Sequence, residues 1–215
     1  MSIARSIILL KSISMKTLKI ALTGGIACGK SSIIQIFKKN AIAIIDLDVI
    51  ARAVVKPKSQ ALSELVAHFG NGILNDDQTL NREALRQVLF ENNANQKIIE
   101  EILHPKILEK MQMEIKKVKN RLVVIEVPLL VEQNLSNLFD RAVVVDCNEQ
   151  NQLKRLLKRE NIDEKLAKTM ISAQASRKQR LALSKKLPTD ILENNSEIFE
   201  MEQKAQDLAH KLLNL

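Results

Sequence analysis

Apolar positions along this chain follow two periods, and the alternation between them lays out the elements. Short runs rich in β-branched residues predict strands at Leu18 to Thr23, Ile42 to Ile45, Leu122 to Val127, Arg141 to Asp146 and Thr189 to Leu192. Between them the period lengthens to that of a helix. Ile33, Ile34, Ile36 and Phe37 make one stripe, and Leu62, Leu65, Val66 and Phe69 fall at i, i+3, i+4 and i+7 before a stop at Gly70. Helical spacing resumes through Leu85 to Phe90 and through Ile98, Ile99, Ile102 and Leu103. His104-Pro105 reads as a break, after which Ile107, Leu108, Met111, Ile115 and Val118 form a further helix. A last amphipathic helix carries Ile198, Phe199, Ala205, Leu208, Leu212 and Leu213. Each strand before the fifth is followed by helix, which predicts an α/β fold: a parallel sheet of about five strands with helices on both faces. The helical stretch between the second and third strands, about 57–121, is longer than a crossover needs and reads as an insertion.

Composition narrows the picture. The chain has 215 residues, 46% of them hydrophobic but only 2% aromatic, so the core is aliphatic. A shortage of aromatic faces argues against base-stacking recognition of single-stranded nucleic acid. With 33 Lys and Arg against 25 Asp and Glu, the net charge of +8 favours anionic partners. Basic residues are interleaved with acids, as on solvated helix faces. No apolar run reaches the roughly 18 residues of a membrane span. Residues 1–14 lack an adequate apolar core or cleavage site for a signal peptide, and Met15 precedes the first strand closely, so 1–14 is expected to lie outside a single domain, 15–215. Cys28 and Cys147 have no metal-ligand spacing and are expected to be unpaired, in keeping with a reducing cytoplasm.

The chemistry concentrates at Gly24-Gly25-Ile26-Ala27-Cys28-Gly29-Lys30-Ser31, a match to G-x-x-x-x-G-K-[ST] placed between a predicted strand and a predicted helix. Glycine is needed where the backbone turns with positive φ and lays N–H groups against phosphate oxygens. The helix N-terminus adds partial positive charge. Lys30 is then placed for the β- and γ-phosphates of a nucleoside triphosphate, and the Ser31 hydroxyl for the Mg²⁺ that bridges them.

After the second strand come Asp46 and Asp48, at the sheet end where ligands of open parallel sheets gather. Either carboxylate suits work on a group beside the γ-phosphate, and either suits capping of the following helix. Arg52, four residues beyond Asp48, is also spaced for an ordinary ion pair. Glu126, near the end of the third strand, is placed for a metal shell. Between the last two strands run Lys154, Arg155, Lys158, Arg159, Arg177, Lys178 and Arg180. They fit a lid, about 148–186, that closes on a triphosphate, and equally a solvated basic face.

Taken in order, Leu22-Thr23-Gly24-Gly25-Ile26, Ile45-Asp46-Leu47-Asp48-Val49-Ile50-Ala51-Arg52, Leu80-Asn81-Arg82, Ile102-Leu103-His104-Pro105 and Val127-Pro128-Leu129-Leu130 resemble the dephospho-coenzyme A kinase family. The resemblance runs from Met15 to about Ser196. It implies a P-loop nucleoside-kinase-like three-layer fold, with the inserted helical region binding dephospho-CoA, and transfer of the γ-phosphoryl group of ATP to the ribose 3′-hydroxyl as the final step of coenzyme A synthesis. On this resemblance Asp48, Lys30 and Arg159 are catalytic. Gly25, Ile26, Ala27, Cys28, Gly29, Lys30, Ser31, Ser32, Arg159 and Asn194 bind ATP; Asp48, Arg52, Arg82, His104, Pro128 and Leu129 bind the acceptor. Ala27 stands where the family usually has glycine, Ser32 where threonine is common, and Glu193 where aspartate is usual.

Two other readings share the donor half. One is a different P-loop small-molecule or nucleoside monophosphate kinase, and the other a nucleic-acid-binding ATPase or nucleotide switch. No Asn-Lys-x-Asp guanine motif occurs in the chain. The expected partners are small molecules, with no nucleic acid and no membrane, and patterning is silent on oligomeric state.

Overall fold

A computed structural model describes residues 17–160, 162–195 and 198–215; the expected extension at 1–14 lies outside the described residues. The strands are β1 (Leu18–Gly24), β2 (Ala43–Asp46), β3 (Leu122–Glu126), β4 (Arg141–Asp146) and β5 (Thr189–Glu193), joined in the order β2-β3-β1-β4-β5. β1 pairs in parallel with β3 and β4, and β4 with β5. Because β1 is central it is buried along most of its length, which is why Ile20-Ala21-Leu22 runs apolar without alternating.

The helices are α1 (Lys30–Lys39), α2 (Leu47–Val54), α3 (Gln60–Phe69), α4 (Arg82–Glu91), α5 (Asn93–Lys117), α6 (Glu149–Glu160), α7 (Glu164–Ser172), α8 (Arg177–Leu181) and α9 (Ile198–Leu213). Two compact units result. Among the described residues, one comprises those up to Ile44 together with those from Val118 to Leu215, and the other Ile45–Lys117. In the first, Ile33, Ile34 and Phe37 of α1 and Ala205, Leu208, Ala209 and Leu212 of α9 bury their stripes with Ile20, Leu22, Val143 and Val145 of the sheet. The second has its own core of Val55, Ala61, Leu65, Ile73, Leu85 and Ile99. It takes in α2 as well as the helices expected at about 57–121.

Local signals bound these helices, Gly70 as the stop that the sequence leads one to expect. Gly70 adopts φ 79° at the end of α3 and donates its N–H to the Val66 carbonyl at 2.8 Å. Asn81 opens α4, its side-chain oxygen accepting from the N–H groups of Glu83 and Ala84 at 3.1 and 3.0 Å. One expectation fails. Pro105 does not separate two helices, and α5 runs through it as a single element of 25 residues. A proline removes one hydrogen bond and crowds the turn before it, and tertiary packing can outweigh that local cost. Here α5 contributes Ile99 to the unit's core. The Lys106 ammonium also donates to the Ile102 carbonyl at 3.1 Å and to Glu64 at 2.6 Å, tying the disturbed turn to α3. No helix among the described residues is long and apolar enough to cross a membrane.

Candidate active site

The turn from β1 into α1 carries the phosphate-binding sequence, and its backbone angles show why glycine recurs there. Gly24 has φ 152° and Gly29 φ 99°. A Cβ on Gly24 would collide with the Val145 carbonyl of β4. Ala27 holds φ 58°, the left-handed region that a side chain disfavours, and it does so at the position where the family resemblance leads one to expect glycine. The Cys28 N–H donates to the Gly25 carbonyl at 3.2 Å and closes the turn, while Lys30 Nζ reaches back to the carbonyls of Gly24 and Gly25 at 2.8 and 3.1 Å. Lys30 is thus held across the mouth of the loop. Ser31 and Ser32 are exposed on the first turn of α1. The Ser31 side chain is therefore accessible from solvent beside the loop.

Side chains from later in the sheet unit brace this loop, and two of them, Gln152 and Gln174, were missed from the sequence. Gln174 Oε1 accepts from the Ile26 N–H at 2.7 Å, and Gln152 Nε2 donates to the Ile26 carbonyl at 2.9 Å. Asn194 is buried just past β5; its amide nitrogen donates to the Cys28 carbonyl at 2.8 Å, and Arg155 Nη2 donates to its backbone and side-chain oxygens at 3.0 and 3.3 Å. Asn194 and the loop are thus brought together as the resemblance leads one to expect, with the amide spent on the loop backbone. Gln152 and Gln174 look like solvated residues in the sequence because the backbone of Ile26 that they bond lies 126 and 148 positions away. The one readable signal was Ser176-Arg177-Lys178-Gln179, the S-x-x-Q spelling of a capping box, which does open α8.

That helix presents two arginines with different surroundings. Arg177 makes a bidentate pair with the buried Asp146 at the end of β4, with contacts of 2.6 to 3.0 Å. Hydrogen bonding to this carboxylate raises the Arg177 guanidinium above its ordinary range. Arg180 is 5% exposed. It donates to the Ala175 carbonyl, its Nε has no hydrogen-bond partner among the described residues, and its Nη2 stands 2.9 Å from where a Cβ on Gly25 would lie. Burial pulls this guanidinium down, against the attraction of Asp146 and Glu132. A nearly enclosed cation beside the phosphate loop, with an unmet donor, is suited to receive anionic oxygen. Arg159, by contrast, is exposed in the last turn of α6.

The expectation that Cys28 and Cys147 are unpaired is also overturned. They form a disulfide with Cα atoms 5.4 Å apart. Adjacent parallel strands deliver them: Gly24 of β1 stands opposite Val145 of β4, and each cysteine follows a few residues later.

In the helical unit the two aspartates part company. Asp46 caps α2, accepting from the N–H groups of Asp48 and Val49 at 2.8 and 3.0 Å. Asp48 lies exposed in the first turn, and among the described residues its carboxylate has no hydrogen-bond or ion-pair partner, Arg52 included. Arg52 and Arg82 are exposed on α2 and α4. His104 lines an open groove of about 500 Å³ with Lys97, Glu100, Glu101, Pro105 and Leu108. On the sheet unit, Pro128 and Leu129 form the turn after β3, with the Pro128 carbonyl accepting from the Thr23 hydroxyl at 3.5 Å. Glu126 ends β3 in register with Leu22.

The family model described as dephospho-CoA kinase matches residues 18–200. A dephospho-CoA kinase of Vibrio parahaemolyticus is 40% identical over 197 residues, covering 91% of this chain and 95% of the relative. Among solved structures, the dephospho-CoA kinase from Campylobacter jejuni aligns with a TM-score of 0.68 at 25% identity, covering 91% of this chain and 97% of that one. A Thermus thermophilus protein shares the fold, with a TM-score of 0.79 at 22% identity over 92% of this chain and 98% of its own.

Proposed function

Because the chain belongs to the dephospho-CoA kinase family, we propose that it moves the γ-phosphoryl group of ATP onto the ribose 3′-hydroxyl of dephospho-CoA, giving CoA and ADP. It is a kinase of coenzyme A biosynthesis, and the match of the family over residues 18–200 carries that conclusion. A cytoplasmic setting is part of the proposal, as is a lid at about 148–186.

On the sheet unit, the backbone of Gly25 to Lys30 cradles the triphosphate, with Ser32 beside it. Lys30 neutralises its β- and γ-oxygens, and Asn194 with Arg159 completes the nucleotide side. The Ser31 hydroxyl is the protein ligand proposed for Mg²⁺, whose charge bridges the same phosphates when bound. We add Arg180 to this set, because its buried guanidinium has an unmet Nε and lies against Gly25. On the helical unit, Asp48 orients the acceptor hydroxyl or takes its proton, and Arg52, Arg82 and His104 bind the acceptor; the Pro128-Leu129 turn has the same role on the sheet unit. Phosphoryl transfer through a loose transition state asks mainly for positioning and charge neutralisation. A carboxylate in reach of the hydroxyl and a cationic cradle for the phosphates supply both.

Arg180→Met is expected to raise the KM for ATP about tenfold or more while the KM for dephospho-CoA holds, as for loss of one charge-assisted phosphate contact. Arg180→Lys should recover part of it if the variant melts within a few degrees of the parent. An unchanged KM for ATP in folded Arg180→Met would remove Arg180 from the set. Acceptor identity is tested by offering dephospho-CoA beside a panel of nucleosides and nucleoside monophosphates with ATP and Mg²⁺. Turnover confined to dephospho-CoA is the expected result. Preference for a nucleoside monophosphate would instead make this another kinase on the same donor half.

A further inference from the structure

The Cys28–Cys147 disulfide joins the phosphate loop to the first residue after β4, across 119 positions of chain. Both sulfur-bearing residues are fully buried, and both belong to the aliphatic core under the sheet. Their Cα separation of 5.4 Å lies inside the range that a disulfide spans without moving the backbone. The loop's own hydrogen bonds are in place at the same time: Cys28 N–H to the Gly25 carbonyl, and Asn194 to the Cys28 carbonyl. The cross-link is therefore compatible with the loop conformation that a nucleotide would meet.

Its position gives it leverage over that conformation. Asp146, the residue before Cys147, anchors Arg177 and accepts the Asn194 N–H at its carbonyl at 2.8 Å. A bond from Cys28 to Cys147 thus fastens the most strained part of the loop, next to Ala27 at φ 58°, to the hub that positions Asn194 and α8. Without the bond, the positive φ at Ala27 favours departure from this geometry.

We propose that Cys28 and Cys147 are a reversible thiol–disulfide site that pre-forms the phosphate loop when oxidised, and that nucleotide in the loop shields it from exchange. This rests on the ATP reading of the loop. Disulfides of cytosolic proteins are commonly redox-sensing rather than permanent. The oxidant class is a low-molecular-weight disulfide, R–S–S–R, which includes the disulfide forms of thiols such as the proposed acceptor and product. The Cys28 thiolate attacks one sulfur, forming Cys28–S–S–R and releasing RS⁻. The Cys147 thiolate then attacks Cys28 Sγ, forming the protein disulfide and releasing the second RS⁻. Two protein thiols lose two protons and two electrons, and R–S–S–R becomes two RSH. Because both cysteines are buried, exchange in either direction proceeds through an opened loop, and a ligand that holds the loop closed slows it.

The test uses the full chain with dithiothreitol as reductant and glutathione disulfide as oxidant, with thiols counted by a chromogenic disulfide after denaturation. Three results are expected. Reduction exposes both cysteines as thiols and lowers the melting temperature by roughly 5–15 °C. ATP at ten times its dissociation constant slows reduction roughly tenfold. The reduced chain binds ATP roughly threefold to tenfold more weakly, since the loop is no longer pre-organised. Cys147→Ser, kept free of glutathione disulfide so that Cys28 stays a thiol, should show the reduced-state melting temperature and ATP affinity. The proposal is overturned if folded Cys147→Ser matches the oxidised parent in both properties, or if no disulfide forms under glutathione disulfide. Reduction at the same rate with and without ATP overturns the shielding if calorimetry shows ATP bound and Lys30→Ala abolishes that binding; if Lys30→Ala leaves the binding intact, the loop reading fails instead.

Discussion

Asp48→Asn is expected to lower turnover by roughly 10²–10⁴-fold, the range for loss of a positioned acid–base group, while the dissociation constant for ATP stays within about twofold. The expectation follows from the division of labour at the start of α2. Asp46 spends its carboxylate on the N–H groups of Asp48 and Val49, so the helix keeps its cap in the variant. Asp48 has no such task, and its side chain is exposed without a partner among the described residues. Asparagine preserves size and removes the charge and the basic oxygen. A carboxylate in the first helical turn also gains from the helix dipole, so the variant is expected to lose about 0.3–1 kcal/mol of stability. That loss is far too small to account for a hundredfold fall in turnover. Single-turnover measurement with ATP and dephospho-CoA separates the two effects, and turnover near that of the parent would strip Asp48 of its role.

Lys30→Ala is expected to damage both substrate binding and chemistry, lowering kcat/KM for ATP by roughly 10²–10³-fold, as removal of a group that stabilises developing charge does elsewhere. Lys30 is the first residue of α1, and its ammonium lies across the loop against the carbonyls of Gly24 and Gly25. It is thereby held where the β- and γ-oxygens of a triphosphate would meet it. Lys30→Arg should not restore activity, because a planar fork cannot replace a compact ammonium held by two carbonyls. Melting curves control for loop damage. Parent-like kinetics in folded Lys30→Ala would remove the phosphate-cradle account of the loop.

Much of the fold could be read from the chain because its signals are local. The β-branched runs mark every strand to within a residue or two at each end. Gly70 acts where a stop was expected. The phosphate loop announces itself because only certain residues tolerate its backbone angles. What escaped depends on pairs distant in sequence. Gln152 and Gln174 bond the loop backbone, and nothing in their own neighbourhoods marks them, whereas Arg180 stood in the basic stretch that fitted a lid and a solvated face equally. The disulfide needs the strand order before its partners can be known to be neighbours. Pro105 misled because a local helix breaker was outweighed by the packing of α5 in its own unit. At Asp46 and Asp48 the sequence left two roles for two carboxylates, and hydrogen bonding gave the cap to Asp46.

The most direct test of the central claim is to incubate the purified chain with ATP, Mg²⁺ and dephospho-CoA and follow the acceptor by mass spectrometry, locating the new phosphate by fragmentation. Gain of one phosphoryl group at the ribose 3′ position, matched by formation of ADP, is the predicted result. Folded protein that leaves dephospho-CoA unchanged, or places the phosphate elsewhere, would contradict it.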